Sequence, residues 1–296
     1  MWQGSRVDRP SVVTIGVFDG VHVGHQALIR HNLEIAERHN LESVVVTFDP
    51  NPLEVLRPEV APTRLCDLSR RVELIARLGV ELVEVIEFDT GLSAQTAEEF
   101  ARDVLLEQLD ARHVVIGEGF RFGNRARGSA QTLRDAGLTV DEYSLVGDSE
   151  VVSSTRIRAA VADGDVVGAA AMLGRPHEVA GVVVMGEQRG RELGFPTANI
   201  EHHRLAAVPS DGVYAGTAVL DGVRHPAAIS VGTNPTFEGT ARTVEAYLLD
   251  LDQDLYGRLM RVEFVERLRD TLAFDSVDDL VTQMHEDVAV TRRIVG

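Results

Sequence analysis

Apolar residues are spaced in two ways along this chain, and the change falls a little past its middle. In the first half, short β-branched runs alternate with helical spacing. Residues 12–17 form an apolar run, after which Ile29, Leu33 and Ala36 recur at i, i+4 and i+7. A second run covers 44–48. Residues 68–78 repeat at helical spacing up to Gly79, a stop signal. Residues 82–86 and 113–116 are further apolar runs. Between them, 96–109 reads as a helix opened by Thr96 and Glu99, spaced as a capping box. Strands alternating with helices predict a doubly wound parallel sheet covered on both faces. Such sheets take ligands beyond the carboxyl ends of their strands. The loops after Val17, Phe48 and Ile116 are therefore the ones to watch.

The pattern changes at Leu173-Gly174-Arg175-Pro176, where a glycine follows an apolar helix and a proline stands two residues on. This predicts a boundary, with domains 1–174 and 175–296. Beyond it, short runs at 179–184, 212–220, 225–231, 242–249 and 259–264 are punctuated by glycine, proline and aspartate. They predict an antiparallel barrel or sandwich. A terminal helix follows, with Ser276 as N-cap and Asp278 and Asp279 in its first turn. Val277, Leu280, Val281, Met284 and Val288 form its apolar face. The expected fold class is thus α/β followed by β.

Composition narrows the partners. The formal net charge of −17 repels nucleic acid and anionic lipid, so neither is expected to bind. A small phosphorylated ligand stays compatible, because a local pocket can be basic. The single cysteine, Cys66, allows no intrachain disulfide and reads as a small buried hydrophobe. Residues 1–10 carry no apolar signal core, and no apolar run reaches membrane-spanning length. The expected compartment is the cytoplasm; a weak homo-oligomer is left open.

Two segments carry chemistry. Residues 16–25 (GVFDGVHVGH) join the first strand to the first helix. Glycines here permit close backbone approach, and a helix N-terminus presents N–H groups to phosphate. His22 and His25 are three apart, so on a first helical turn they face one way and can stabilise developing phosphate charge. Read alone, the stretch is equally a turn with two exposed histidines. Residues 153–158 (SSTRIR) put hydroxyls and arginines at a helix start, which reads alone as an N-cap with surface arginines. In the second half, 190–199 (GRELGFPTAN) places Thr197 and Asn199 on alternate positions of an extended segment. A hydroxyl and an amide oxygen are hard donors suited to magnesium. Glu245 lies in an apolar run, where a carboxylate needs a role, a partner or an outward-facing position.

Taken together these segments resemble prokaryotic bifunctional riboflavin kinase/FAD synthetases, from about residue 12 to residue 292. The first resembles the nucleotidyltransferase signature, the second the other nucleotide-binding signature of FAD synthetases, and the PTAN stretch the riboflavin kinase signature. Residues 48–52 (FDPNP), 117–123 (GEGFRFG), 231–237, 243–250 and 254–257 follow in family order. Asn51 stands where the family loop usually has histidine, and Gly119 where it usually has asparagine or aspartate.

The resemblance implies that ATP phosphorylates riboflavin to FMN and that a second ATP adenylylates FMN to FAD, with Mg2+. It implies a nucleotide site at Gly16, Phe18 and Gly24, with His22 and His25 catalytic and Ser154, Thr155 and Arg158 on the triphosphate. It implies flavin contacts at Phe48, Pro50, Pro52, Phe120 and Phe122. In the second domain it implies nucleotide contacts at Gly190, Gly194, Thr197 and Asn199, the last two holding the metal, with Glu245 as base and Arg269 near flavin. Residues Arg121, Arg125 and Arg127 read as a phosphate-attracting or a solvated basic loop. Two other readings stay open: a riboflavin kinase with an inactive first domain, and a non-catalytic flavin-binding protein.

Overall fold

The computed structural model describes residues 7–144, 152–186, 190, 193–236 and 239–296, with side chains omitted for 234–236 and 239–241. It divides into two compact units, one formed by residues up to 62 and 68–153, the other by 63–67 and 154–296.

The first unit is built on β1 (Ser11–Ile15), β2 (Glu42–Asp49), β3 (Leu82–Glu87), β4 (Ala111–Gly117) and β5 (Thr139–Tyr143). All pairings are parallel, in the order β3-β2-β1-β4-β5. Alternate residues of the central strands feed two cores. Val13, Ile15, Val44, Val46, Val114 and Ile116 face one, and Val12, Val45 and Val115 face the other. Both faces are thus covered, as expected. Helix α1 (Val23–His39) and, after the short α2 (Pro52–Leu56), helix α3 (Leu68–Ala76) supply the second core with Ile29, Ile35 and Ile75. The order reverses between β1 and β4, so the carboxyl ends of these strands flank a switch-point crevice.

The helix expected over 96–109 has its capping box, Thr96 with Glu99, and begins as an α-helix at Ala97–Phe100, α5, after the short α4 (Thr90–Ala94). It continues as a wider π-helix over Ala101–Gln108. Helix α6 (Ala130–Asp135) leads into β5, an edge strand too polar for the hydrophobic pattern to reveal.

The second unit opens with α7 (Ser154–Asp163) and α8 (Val166–Leu173) and continues as a closed barrel. Its strands are β6 (His177–Val184), β7 (Ala198–His202), β8 (Gly212–Leu220), β9 (Val223–Thr236), β10 (Gly239–Leu248) and β11 (Leu259–Arg269), ordered β10-β7-β6-β11-β8-β9. Ile200, Tyr214, Ile229, Val244, Met260 and Phe264 fill its interior. Val166 of α8 packs into that same core. The two helices therefore join the barrel's unit, although the sequence pattern placed the boundary after them, at Gly174. Strand β7 takes in only the last two residues of the motif that composition presents as a loop.

The final helix, α9 (Val277–Val295), starts at the Ser276 cap as expected. Leu280, Val281, Met284 and Val288 of its expected face are half-buried, whereas Val277 is 60% exposed, and the most buried residues on α9 are Asp287 and Thr291. Asp287 is buried because it meets Arg269 on β11.

Candidate active sites

In the first unit the chain leaves β1 at Gly16, whose N–H donates to the Val46 carbonyl at 3.1 Å. It then reverses through Phe18 (φ 51°) and Val21 (φ 41°), closed by a bond from the Val21 N–H to the Phe18 carbonyl. Left-handed φ at a bulky and a β-branched residue is costly and marks a turn held by its surroundings. The turn delivers His22 to the N-cap of α1, where its Nδ1 accepts the His25 N–H at 3.3 Å. A neutral His22 therefore carries its proton on Nε2. Gly24 is buried in the first helical turn. The two imidazoles stack, with centroids 3.6 Å apart and planes at 17°.

The side chain of Phe18, expected as a nucleotide contact, packs in the core. It is 2% exposed and meets the His25 ring edge-on at 5.1 Å. Burial first, then the charges of His22 and Arg71, hold the His25 imidazole well below its ordinary range.

The loops after β2 and β4 meet in a cavity of about 710 Å³. Phe48, Pro52, Phe120 and Phe122 all line it; Pro50, which follows a cis peptide bond, does not. Phe122 is 9% exposed and belongs to the core while turning one edge to the cavity, and Phe120 stacks on it. Arg57, Arg121 and Arg125 line the same space, with no acidic residue among them. Aromatic walls lined with arginines suit an aromatic ligand that carries a phosphate. Arg127 is not part of the lining. Gly119 has φ +74° with open space around its Cβ direction. That is the left-handed region where glycine, asparagine and aspartate are the tolerated residues, so all three meet one backbone requirement. Asn51 caps α2, its Oδ1 accepting the Leu53 N–H at 3.0 Å.

In the second unit, Thr197, Asn199 and Glu245 come together on the barrel's outer face. Asn199 on β7 is the register partner of Glu245 on β10. Their neighbours Ala198, Ile200, Val244 and Ala246 point into the core. Thr197 Oγ1 donates to Glu245 Oε2 at 2.9 Å. Glu245 thus takes the outward position that strand alternation permits. Gly190 accepts the Phe195 N–H at 2.8 Å, and a Cβ there would lie 2.4 Å from the Phe195 carbonyl oxygen, a close approach only glycine allows. Phe195 is buried between Tyr247 and His285. Gly194 is exposed; Arg191, Glu192 and Phe237 of the family motifs lie outside the described residues.

Two cavities adjoin this face. One of about 300 Å³ is lined by Thr197, Asp252, Asp254 and Tyr256. The other, of about 890 Å³, is lined by Asn199, Arg158, Arg204 and Arg242. Ser154, Thr155 and Arg158 belong to this second unit, and Arg158 lines the larger of these two cavities beside Asn199. Arg269, expected near flavin, pairs with an acid of α9. Its Nε and one terminal nitrogen grip Asp287, at 3.0 and 2.7 Å, and the other donates to the Asp270 carbonyl.

Residues 5–156 match the FAD synthetase family model and residues 173–295 the riboflavin kinase model. The bifunctional riboflavin kinase/FMN adenylyltransferase of Escherichia coli is 36% identical over 291 residues, covering 96% of this chain and 93% of the relative. Its counterpart in Pseudomonas fluorescens is 38% identical over 294 residues, covering 97% and 94%. The chain belongs to the bifunctional riboflavin kinase/FMN adenylyltransferase family.

A solved chain from Streptococcus pneumoniae described as a macrolide-efflux protein superposes with a TM-score of 0.87 at 35% identity, covering 97% of this chain and 95% of that one. Among the described residues here, no helix is long and apolar enough to cross a membrane. In this family member the sequence analysis missed Arg71, which lies buried beside the histidine turn. Its spacing in a helical pattern marks it as an ordinary polar-face residue, and no local signal distinguishes it.

Proposed function

We propose that this chain phosphorylates riboflavin to FMN on its barrel and adenylylates FMN to FAD on its α/β unit. The observation that carries the reading is the convergence of Thr197, Asn199 and Glu245 on one outer barrel face, with Thr197 bonded to Glu245. For phosphorylation, Glu245 takes the proton of the ribityl 5′-hydroxyl as that oxygen bonds to the γ-phosphorus of ATP and the bond to ADP breaks. Thr197 holds the carboxylate in place. Mg2+ fits this donor set, because Thr197 and Asn199 offer hard oxygens and such sites are completed by water and phosphate. When bound it neutralises phosphate charge.

For adenylylation, an FMN phosphate oxygen bonds to the α-phosphorus of ATP and pyrophosphate leaves. The nucleophile is already ionised, so no base is needed. His22 donates from Nε2 to the phosphate, and His25 packs against it, fixing its ring. The arginine-bearing aromatic cavity holds FMN, with Phe48, Pro52, Phe120 and Phe122 around the ring system. A reducing cytoplasm suits the single cysteine.

Chromatography of products from the purified chain tests both halves. Glu245→Ala is expected to abolish FMN formation from riboflavin while sparing FAD formation from supplied FMN; His25→Ala is expected to do the reverse. A folded variant losing both activities overturns the division, and absence of FAD from the wild type leaves only the kinase.

A further inference from the structure

Arg71 is 3% exposed, yet it carries a full charge. It projects from α3 to the carboxyl edge of the sheet, where β1 and β2 end side by side. One terminal nitrogen faces the Val17 carbonyl at 2.9 Å, the Phe48 carbonyl at 2.8 Å and Thr47 Oγ1 at 3.1 Å. Thr47 Oγ1 itself donates to the Val17 carbonyl at 3.0 Å. The other terminal nitrogen lies 3.6 Å from Asp49 Oδ1. Val17 begins the turn that delivers His22 and His25. Phe48 and Asp49 begin the loop that supplies one wall of the aromatic cavity.

We infer that Arg71 is a positioning residue for adenylyl transfer, tying the histidine turn to the flavin-side loop through one buried guanidinium. The inference rests on reading the first unit as the adenylyl-transfer site. A buried cation is costly and is retained where its donors are used. Here one terminal nitrogen gathers the carbonyls of Val17, just past β1, and Phe48, near the end of β2. Reach matters as much as the charge, because a lysine stem ends one bond short of the nitrogen that makes these contacts and has no second terminal nitrogen beside Asp49. The charge has its own effect. His25 is acted on by His22 from its own turn and by Arg71 from α3, and both oppose its protonation. Asp49, at the end of β2, faces Arg71 and tempers it.

The test uses the full chain with R71Q and R71K. Misplacing a reacting group by about 1 Å can cost about 100-fold, so both variants are expected to lose roughly 10- to 100-fold in kcat/KM for FMN adenylylation. Riboflavin phosphorylation by the same chain should stay within about twofold, since the barrel forms a separate unit. Imidazole NMR should show the His25 midpoint rising in R71Q, where the charge is gone, and unmoved in R71K, where it is kept. Wild-type adenylylation efficiency in R71K overturns the inference, and so does an unchanged His25 midpoint in R71Q. If R71Q unfolds the first unit, R71K decides through kcat/KM alone. If the wild type forms no FAD, the functional reading falls, while the His25 titration still reports on Arg71.

Discussion

The Thr197 hydroxyl points its proton at Glu245 Oε2, which turns the oxygen lone pairs away from the carboxylate. One side chain can therefore orient the base and still present an oxygen to a cation. Thr197→Val keeps the shape and removes both capacities. Loss of an orienting partner of this kind typically costs about 10- to 100-fold. Riboflavin phosphorylation is expected to fall by that factor, with adenylylation of supplied FMN unchanged and Thr197→Ser restoring most of the loss. Steady-state assays of the two reactions check it, and equal activity in Thr197→Val would show that the hydroxyl serves neither purpose. Thr197 and Asn199 were legible because their spacing on an extended segment already places them on one face, whereas Glu245, on β10, was singled out by a carboxylate in an apolar run and by the family resemblance. Arg71 was not legible, because its acceptors lie 23 to 54 residues away in sequence, on β2 and in the turn after β1. Phe18 sits inside the expected ligand motif and packs its side chain in the core, a placement the motif alone does not show.

At the scale of elements, α9 carries two ion pairs beside its half-buried apolar face. Arg269 and Asp287 form a forked pair at side-chain exposures of 18% and 9%, whereas Arg292 and Asp250 pair at 54% and 70%. The first pair excludes water and the second does not. Asp287→Ala leaves a guanidinium buried without its carboxylate and is expected to cost about 3 kcal/mol. Asp250→Ala is expected to leave the unfolding midpoint almost unmoved, because exposed pairs contribute little. Urea unfolding of the two variants separates them, and equal midpoints would contradict the burial argument. The helix's start was legible, since a serine cap and two first-turn acids act locally. Its packing was not, because Asp287 is buried only by virtue of a partner on β11. Strand legibility divides in the same way. The wholly buried β1 announces itself by composition, whereas β7 begins at the end of a motif and the edge strand β5 is too polar to stand out.

At the scale of the whole molecule, the two cores carry separate sensitivities to acid. In the second unit His177 is 1% exposed, and its Nε2 hydrogen bonds the Ala207 carbonyl at 2.6 Å. Burial dominates, lowering its pKa to about 4; the bond to Ala207 raises it and the charge of Arg175 lowers it further. In the unfolded chain this histidine takes up its proton near pH 6.5, and in the folded barrel only near 4. Between these values the unfolded state binds more protons, so stability falls as pH drops through that window and is fully present above it. The loss attributable to His177 is about 3 kcal/mol at the acid end. His25 shifts the same way in the first unit, so a global probe would mix the two. Amide exchange of β6 and β11 reports on the barrel alone. In the wild type their protection should decline from pH 6.5 toward pH 4, after correction for intrinsic exchange. In His177→Gln, which keeps a hydrogen-bond donor and cannot titrate, that part of the decline should vanish while the first unit's pH dependence persists. Parallel curves for variant and wild type would mean that His177 is not what makes the barrel acid-sensitive.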